Sequence, residues 1–175
     1  MENALMLARA IAAAGQVQGR VKLQKIAYLM QSLNLGISYD DYVVHHYGPY
    51  SSSLASDIDY LKKIGVIEEE SQNLGLNERG EEMVQYNYSM NEQAEEAIRE
   101  LTNLDEMEHF DQVSASLAQR DAKVLELAAT ICYLNREMGL PSDKAEKEAL
   151  SIKQHLRNHL RESKELLKKL NLCTS

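Results

Sequence analysis

Glycine and proline are scarce in this sequence of 175 residues, which contains eight glycines and two prolines. Because these two residues are common in turns and loops, their scarcity favours a chain dominated by helices. No apolar run approaches the roughly 20 residues that a membrane-spanning helix needs. The start, Met1-Glu2-Asn3, lacks the basic region of a signal peptide. The sequence therefore predicts a cytoplasmic protein with no membrane segment.

Cysteine is also rare, and the motifs of common enzymes are missing. Cys132 lies inside an apolar helical run and Cys173 lies 41 residues further on, a spacing unlike that of zinc sites. Both are expected to be reduced thiols. The sequence contains no Gly-x-Ser-x-Gly elbow, no glycine-rich phosphate loop and no local Cys–His pair. We therefore expect no enzymatic activity, no catalytic residues and no cofactor.

The histidines do not form a convincing metal site. His45 and His46 are adjacent on a predicted strand, so their side chains point to opposite faces. His155 and His159 are four residues apart, which places both on one helix face, but a zinc site needs three or four ligands. We expect these side chains to be surface or packing residues.

Charge is distributed unevenly along the chain. The formal net charge is −8, and residues 81–110 alone carry one Lys or Arg against nine Asp or Glu. Residues 141–175 carry eight basic against five acidic residues. A nucleic-acid-binding protein usually has a basic field, so the acidic middle of this chain disfavours that function.

The first ninety residues predict a winged-helix-like domain with a small β-hairpin. Helices are expected from about Asn3 to Ala14, from about Arg20 to Leu33, and after the capping residues Ser51 and Ser52. The apolar stripe of this unit comprises Leu23, Ile26, Met30, Leu54, Ile58 and Leu61. A short strand is expected from Tyr42 to Tyr47, followed by a turn at Gly48-Pro49. The hairpin is expected between Val66 and Leu76, with Asn77 capping a helix that begins at Glu78.

The second half of the sequence predicts helices that pack on this domain, so we expect a mainly α fold. Residues 1–90 would form the first domain and residues 91–175 a C-terminal helical region. The run from Val124 to Leu134 is apolar nearly all round, as a central core helix would be. Ser142 is expected to cap a further helix. Such a run needs cover on several sides. Either the flanking helices cover it within one chain, or a homodimer forms, helped by the opposite charges of residues 81–110 and 141–175.

Two motifs in the first domain resemble those of a known prokaryotic group. Lys22-Leu23-Gln24-Lys25 followed by Tyr47-Gly48-Pro49 is similar to the YwgA-type uncharacterised proteins and, more distantly, to the Panacea (SocA-like) domain of antitoxins and proteolytic adaptors. The segment Val124–Thr130 also looks like the YwgA-type group. The resemblance implies a winged-helix-like, non-enzymatic protein. The Panacea relatives imply an antitoxin- or adaptor-like regulator that acts by protein–protein contact.

The candidate partner-binding residues are Tyr47, Gly48, Pro49 and Tyr50, where the tyrosines would border a groove for another protein. The alternative is that this turn only sets the angle between strand and helix. A second functional reading is a winged-helix DNA-binding transcriptional regulator. Its backbone contacts would be Arg20, Lys22, Lys25, Lys62 and Lys63. DNA binding is disfavoured because the third helix carries Asp57 and Asp59 and lacks Arg, Asn or Gln to read base edges.

Overall fold

Most of the chain is helical, as its periodicity and capping residues predict. The computed structural model describes residues 2–45, 48–102 and 107–173. The helices are α1 (Glu2–Ala14), α2 (Arg20–Ser32), α3 (Ser52–Lys63), α4 (Glu92–Leu101), α5 (Met107–Ala118), α6 (Ala122–Arg136), α7 (Ser142–Ile152) and α8 (Leu160–Lys169), with a 3-10 helix at Gln154–His159. The strands are β1 (Gln16–Gln18), β2 (Val43–His45), β3 (Gly48–Tyr50), β4 (Ile67–Leu76) and β5 (Glu82–Met90). The predicted mainly α class is confirmed. Within the described ranges, no helix combines the length and hydropathy needed to cross a membrane.

The strands form two small antiparallel sheets. β1, β5 and β4 lie side by side in that order, and β2 pairs with β3 as a separate ribbon. β1 was not predicted from the sequence, because three residues between two glycines give too short a pattern. Ile67 pairs with Met90, and both side chains face the helices and are buried. The winged-helix assignment of residues 1–90 stays a prediction.

The hairpin lies further along the chain than the sequence predicted. β4 runs without interruption through the expected loop, and the reversal falls at Asn77–Glu81. Asn77 Oδ1 accepts hydrogen bonds from Arg79 N (2.9 Å) and Glu81 N (3.0 Å), and Gly80 has a φ of +77°. Asn77 therefore closes a turn, and the predicted helix beginning at Glu78 is wrong. The side chain that closes an Asx-turn makes the same local hydrogen bond as one that caps a helix, so the sequence signal was ambiguous.

The turn predicted at Gly48-Pro49 is also wrong. Both residues belong to β3, where Gly48 pairs with His45 and Pro49 with Val44. Proline is tolerated on a two-stranded ribbon because an edge strand does not need every N–H for a ladder. His46 and Tyr47, on which part of the predicted strand fell, lie outside the described residues.

One hydrophobic core joins the first ninety residues to the helices that follow. The six predicted stripe residues are all at most 3% exposed, which confirms that assignment: Leu23, Ile26, Met30, Leu54, Ile58 and Leu61. α1 packs against α4 and α5, and α2 packs against α5 and α6. The boundary at residue 90 therefore separates two parts of the sequence that share a core.

α6 is the central helix, as predicted. Its apolar side chains from Val124 to Leu134, apart from the half-buried Tyr133, are buried within the single chain, under α2, α7, α8 and β3. The flanking helices thus cover this run within one chain, and the homodimer stays a prediction. Ser142 does not cap α7 with its side chain. Pro141 takes the N-cap position, and Ser142 Oγ instead donates a hydrogen bond to the Cys173 carbonyl at 3.2 Å.

Candidate functional site

The segment Lys22-Leu23-Gln24-Lys25 on α2 makes hydrogen bonds to two distant parts of the chain. Gln24 holds the backbone of Ser51 from both sides: Nε2 donates to the Ser51 carbonyl (2.8 Å), and Oε1 accepts from Ser51 N (2.9 Å). Lys25 Nζ donates to the Pro49 carbonyl and Lys22 Nζ to the Ala118 carbonyl, each at 2.5 Å. These polar residues therefore fix the path of β3 and of the α5–α6 connection.

Lys25 is an interior lysine, with 1% of its surface exposed. Burial lowers the pKa of Lys25 to about 7; the charge of Glu126 acts in the opposite direction, and that of Lys153 reinforces the lowering. Glu126 itself is paired with Lys153 at 2.7 Å. A buried ammonium charge costs free energy unless a polar group compensates for it. For Lys25 the Pro49 carbonyl is such a group.

The start of α3 is held by Asp41. Ser51 Oγ and Ser52 Oγ both donate to its carboxylate, as does Ser53 N at 2.8 Å. Burial acts against ionisation, but these hydrogen bonds outweigh it and hold the pKa of Asp41 well below its usual range. Ser51 in turn accepts a hydrogen bond from Leu54 N at 3.0 Å, which confirms its predicted capping role.

A groove of about 230 Å³ opens between α2, β3 and α3. Its apolar lining comes from Val21, Tyr50, Ala55 and Ile58, and the side chains of Arg20 and Asp59 stand at it as charged residues. We call this feature the α2–α3 groove. Tyr50 is 38% exposed, while Gly48 and Pro49 are buried. Of the predicted partner-binding residues, Tyr50 therefore offers the most surface; Tyr47 lies outside the described residues.

A charged network, which we call the Glu69 network, lies beside the α2–α3 groove. Glu69 on β4 receives Arg20 Nη2 at 3.1 Å, Lys62 Nζ at 2.7 Å and the Tyr88 hydroxyl at 2.5 Å. Burial opposes ionisation of Glu69, but these donors lower its pKa. The Arg20 guanidinium also lies 5.5 Å from the centre of the Tyr86 ring. Glu69 thus pairs with Arg20, which lines the groove, and with Lys62, and the Asp59 carboxylate lies within 4 Å of both cations.

Four of the five predicted phosphate-binding residues are engaged in these contacts. Lys22 and Lys25 are buried, with 9% and 1% of their surfaces exposed, so they offer little surface to a phosphate. Arg20 and Lys62 are held by Glu69, and Lys63 is exposed. Sequence reasoning missed Glu69, although its position two residues after buried Ile67 on a strand places both on one face.

The described residues contain no group of three or more His, Cys, Asp or Glu side chains able to hold a metal ion. His155 and His159 fall in the 3-10 helix, where His155 is exposed and His159 is half-buried. His46 lies outside the described residues.

Comparison with known proteins finds a relative of this chain. No protein-family model matches it. It is 31% identical over 139 residues to the uncharacterized protein YwgA of Bacillus subtilis, an alignment that covers 79% of this chain and 76% of that protein. The YwgA-type resemblance seen in the sequence is therefore confirmed, and the more distant likeness to the Panacea domain stays a prediction.

Proposed function

We propose that this chain, which belongs to the YwgA family, is a non-enzymatic adaptor or regulatory module that works in the cytoplasm by binding another protein. The observation that carries the proposal is the α2–α3 groove: an apolar depression beside which Arg20 and Lys62 are already paired with Glu69. Concave, mostly apolar sites with a few polar groups at the rim are typical binding sites.

The backbone segments that border the groove are held in place, which favours recognition of a partner by shape. Gln24 and Lys25 fix β3 on one side, and Asp41 fixes the start of α3 on another. Because these backbone segments are held by hydrogen bonds within the chain, the groove is formed before a partner arrives. Binding a preformed site avoids the entropy cost of ordering it.

Exposed apolar residues on α3 and β5 favour a protein partner. Tyr60 on α3 and Tyr86 on β5 are 49% and 37% exposed, and Val84 on the same strand is 43% exposed. Tyrosines are enriched at protein interfaces because they supply large contact area together with a polar group. The hairpin would act as the wing of a winged-helix unit used for protein contact.

The charge of the surroundings specifies the partner further. Asp59 stands at the groove with its side chain 62% exposed, and residues 51–80 carry six acidic against three basic residues. We propose that the partner inserts an apolar side chain flanked by Lys or Arg. Complementary charges of this kind raise the association rate and help to fix the register.

DNA binding is the weaker reading, because a phosphate backbone needs available cations. To bind phosphate, Arg20 and Lys62 would have to break their ion pairs with Glu69. Lys22 and Lys25 are buried. The affinity of proteins for DNA depends chiefly on such phosphate contacts.

Site-specific photo-cross-linking in cells tests the proposal. A benzophenone amino acid replaces Tyr50 in the groove, and a matched control carries it at Leu101 on α4, which is 68% exposed and does not line the groove. We expect a discrete protein adduct at position 50 that resists nuclease and is absent from position 101. A nuclease-sensitive adduct at position 50, or the same set of adducts at both positions, would contradict it.

A further inference from the structure

β4 is an edge strand of the three-stranded sheet. In the order β1, β5, β4 it pairs with β5 on one side, and no strand of the described chain covers its other side. The regular pairing runs from Ile67 to Asn73 and is interrupted by a bulge before Leu76. This stretch contains no lysine or proline, the residues with which many proteins protect an exposed edge. Because Ser71 and Gln72 are also exposed, the edge is open to a further strand.

The backbone groups that face outward follow from the hydrogen-bond pattern. Asn91 N donates to the Val66 carbonyl at 2.9 Å, one step before the pair formed by Ile67 and Met90. Hydrogen-bonded and non-hydrogen-bonded pairs alternate along an antiparallel ladder, so every second residue of β4 points its N–H and C=O away from β5. Within the regular, solvent-facing part these residues are Glu69, Ser71 and Asn73. No other hydrogen bond within the described ranges uses these backbone groups.

We propose that two copies of this chain pair through β4, antiparallel and across a two-fold axis at Ser71. The two three-stranded sheets would then form one sheet of six strands. In this register the Ser71 N–H of each copy donates to the Ser71 carbonyl of the other, and the outward groups of Glu69 meet those of Asn73. The same surface is used by both copies, as a two-fold axis requires.

The charges of β4 favour a second copy in this register. The strand carries three adjacent glutamates, and like charges directly opposite each other destabilise an antiparallel pair. A register centred on Ser71 avoids such pairs. Glu70 then lies opposite Gln72 of the second copy, and Glu69 likewise lies opposite Asn73. In both pairs a carboxylate that accepts hydrogen bonds meets an amide that donates them.

Neighbouring registers are less favourable. An axis at Glu70 would place the Glu70 carboxylates of the two copies directly opposite each other. An axis at Gln72 would pair Glu69 with Gly75, which lies in the bulge and has a φ of +94°. That register would leave a shorter regular ladder. The axis at Ser71 therefore gives the longest regular pairing without opposed carboxylates.

The same register brings the end of each hairpin beside the end of α3 in the other copy. Leu76, which is 64% exposed, would lie next to residues 64–66 of the second copy. Ile64 in this segment is 51% exposed. Contact between the two side chains would remove apolar surface from water at both ends of the shared edge, which adds to the backbone hydrogen bonds.

This surface differs from the helical surface on which the sequence predicted a homodimer, and it goes beyond the proposed function. The residues that line the α2–α3 groove belong to other elements than β4. A monomeric protein would therefore overturn this inference and leave the groove as a site for another protein.

Light scattering of the full chain at tens of micromolar tests the proposal. We expect a mass of twice the 19.8 kDa of one chain. Ser71→Pro removes the outward N–H at the axis but no hydrogen bond to β5, and an edge strand tolerates proline in this orientation. This variant should be a monomer with unchanged circular dichroism. Ser71→Ala, which keeps the N–H, should stay dimeric.

Two substitutions at Gln72 test the register. Gln72→Glu places a second carboxylate opposite Glu70, and Gln72→Lys places a cation there. Because the pair occurs twice in a two-fold dimer, the dissociation constant from sedimentation equilibrium should rise roughly tenfold with Gln72→Glu and fall by a similar factor with Gln72→Lys. Gln85→Glu, on the side of Gln72 away from the axis, is the matched control and should leave the constant unchanged.

The proposal is overturned if the wild-type protein is a monomer at these concentrations, or if a folded Ser71→Pro variant remains a dimer. It is equally overturned if the two Gln72 variants shift the dissociation constant in the same direction. If Ser71→Pro does not fold, the opposite effects of the two Gln72 variants decide.

Discussion

Gly48 and Thr130 lie so close that a Cβ atom added to Gly48 would come within 2.6 Å of Thr130 Oγ1. Gly48 also has a φ of +85°, a conformation that residues with a Cβ rarely adopt. β3 is therefore pressed against the middle of α6, and this contact sets the wall of the α2–α3 groove that contains Tyr50.

Gly48→Ala is expected to destabilise the protein by about 3 kcal/mol or more, because backbone strain and a steric clash add. Gly139→Ala is the matched control: Gly139 has a φ of +66° but no atom within 4 Å of an added Cβ. It should cost only the strain, about 1 kcal/mol. Urea melts compare the two free energies of unfolding. Equal losses of unfolding free energy in the two variants would mean that the close approach of residue 48 to Thr130 does not affect stability.

Thr130→Ala should relieve the clash. The single variant loses the hydrogen bond from Oγ1 to the Glu126 carbonyl, a cost of about 1 kcal/mol. In the Gly48→Ala background the same change should cost less, or should restore stability. A double-mutant cycle should give a favourable coupling of about 1–3 kcal/mol. Strict additivity would contradict the packing described for these two residues.

The stability of the protein should depend on the ionisation of Lys25. The pKa of Lys25 is about 7 in the folded protein, against an ordinary value of 10.5. Between these values the unfolded chain binds more protons than the folded one. The contribution of Lys25 to the free energy of unfolding therefore rises with pH from 7 upwards, by at most about 1.4 kcal/mol per pH unit.

Replacement of Lys25 by Met removes this dependence. In melts at pH 7, 8 and 9, the wild type should gain stability relative to Lys25→Met as pH rises. Lys63→Met, at an exposed position of α3, controls for the change in net charge. A difference that stays constant with pH would mean that Lys25 remains charged in the folded protein.

Asp41→Asn is expected to destabilise the start of α3 by about 1 kcal/mol at pH 7, since the carboxylate accepts hydrogen bonds from three serines. The pKa of Asp41 is lowered in the folded protein from its ordinary 3.8. Its stabilising effect is thus present above that value and is lost as pH falls through the folded pKa. The gap between wild type and variant should narrow in acid melts. The neighbouring exposed Asp40→Asn should have little effect; a similar loss there would refute the specific role of Asp41.

Periodicity and caps predicted most of the helical framework, because those signals are local; the helix expected after Asn77 is the exception. The stripe from Leu23 to Met30 and the cap at Ser51 are set by residues three or four positions apart, and the structure has them as expected. The apolar run of α6 was also sufficient to identify the central helix.

The candidate site was harder to predict, because its features depend on residues far apart in the chain. Lys22 and Lys25 were predicted as phosphate contacts of the DNA-binding alternative, although both are buried. Their acceptors, the carbonyls of Ala118 and Pro49, are invisible in a sequence pattern. Glu69 was one of three adjacent glutamates, and only strand register distinguishes it from its solvent-facing neighbours. These non-local contacts decide which cations remain available.

The same contacts predict weak DNA binding. Because Arg20 and Lys62 are paired with Glu69 and because Lys22 and Lys25 are buried, affinity for duplex DNA at physiological salt should be no tighter than about 1 µM. Fluorescence anisotropy with labelled duplexes at several salt concentrations measures this. Nanomolar binding that falls steeply with salt and weakens in Lys62→Ala or Lys63→Ala would support the DNA-binding alternative.

The most direct test of the α2–α3 groove is to fill it. Ala55 lines the groove, and Ser56, the next residue on α3, is exposed and does not line it. Ala55→Trp and Ser56→Trp therefore add the same side chain inside and outside the proposed site. In a protein carrying the benzophenone at position 50, the yield of the protein adduct should fall at least tenfold with Ala55→Trp and stay within twofold with Ser56→Trp. Circular dichroism confirms that both variants are folded. An adduct yield that is unchanged by Ala55→Trp in a folded protein would contradict the claim that the groove binds the partner.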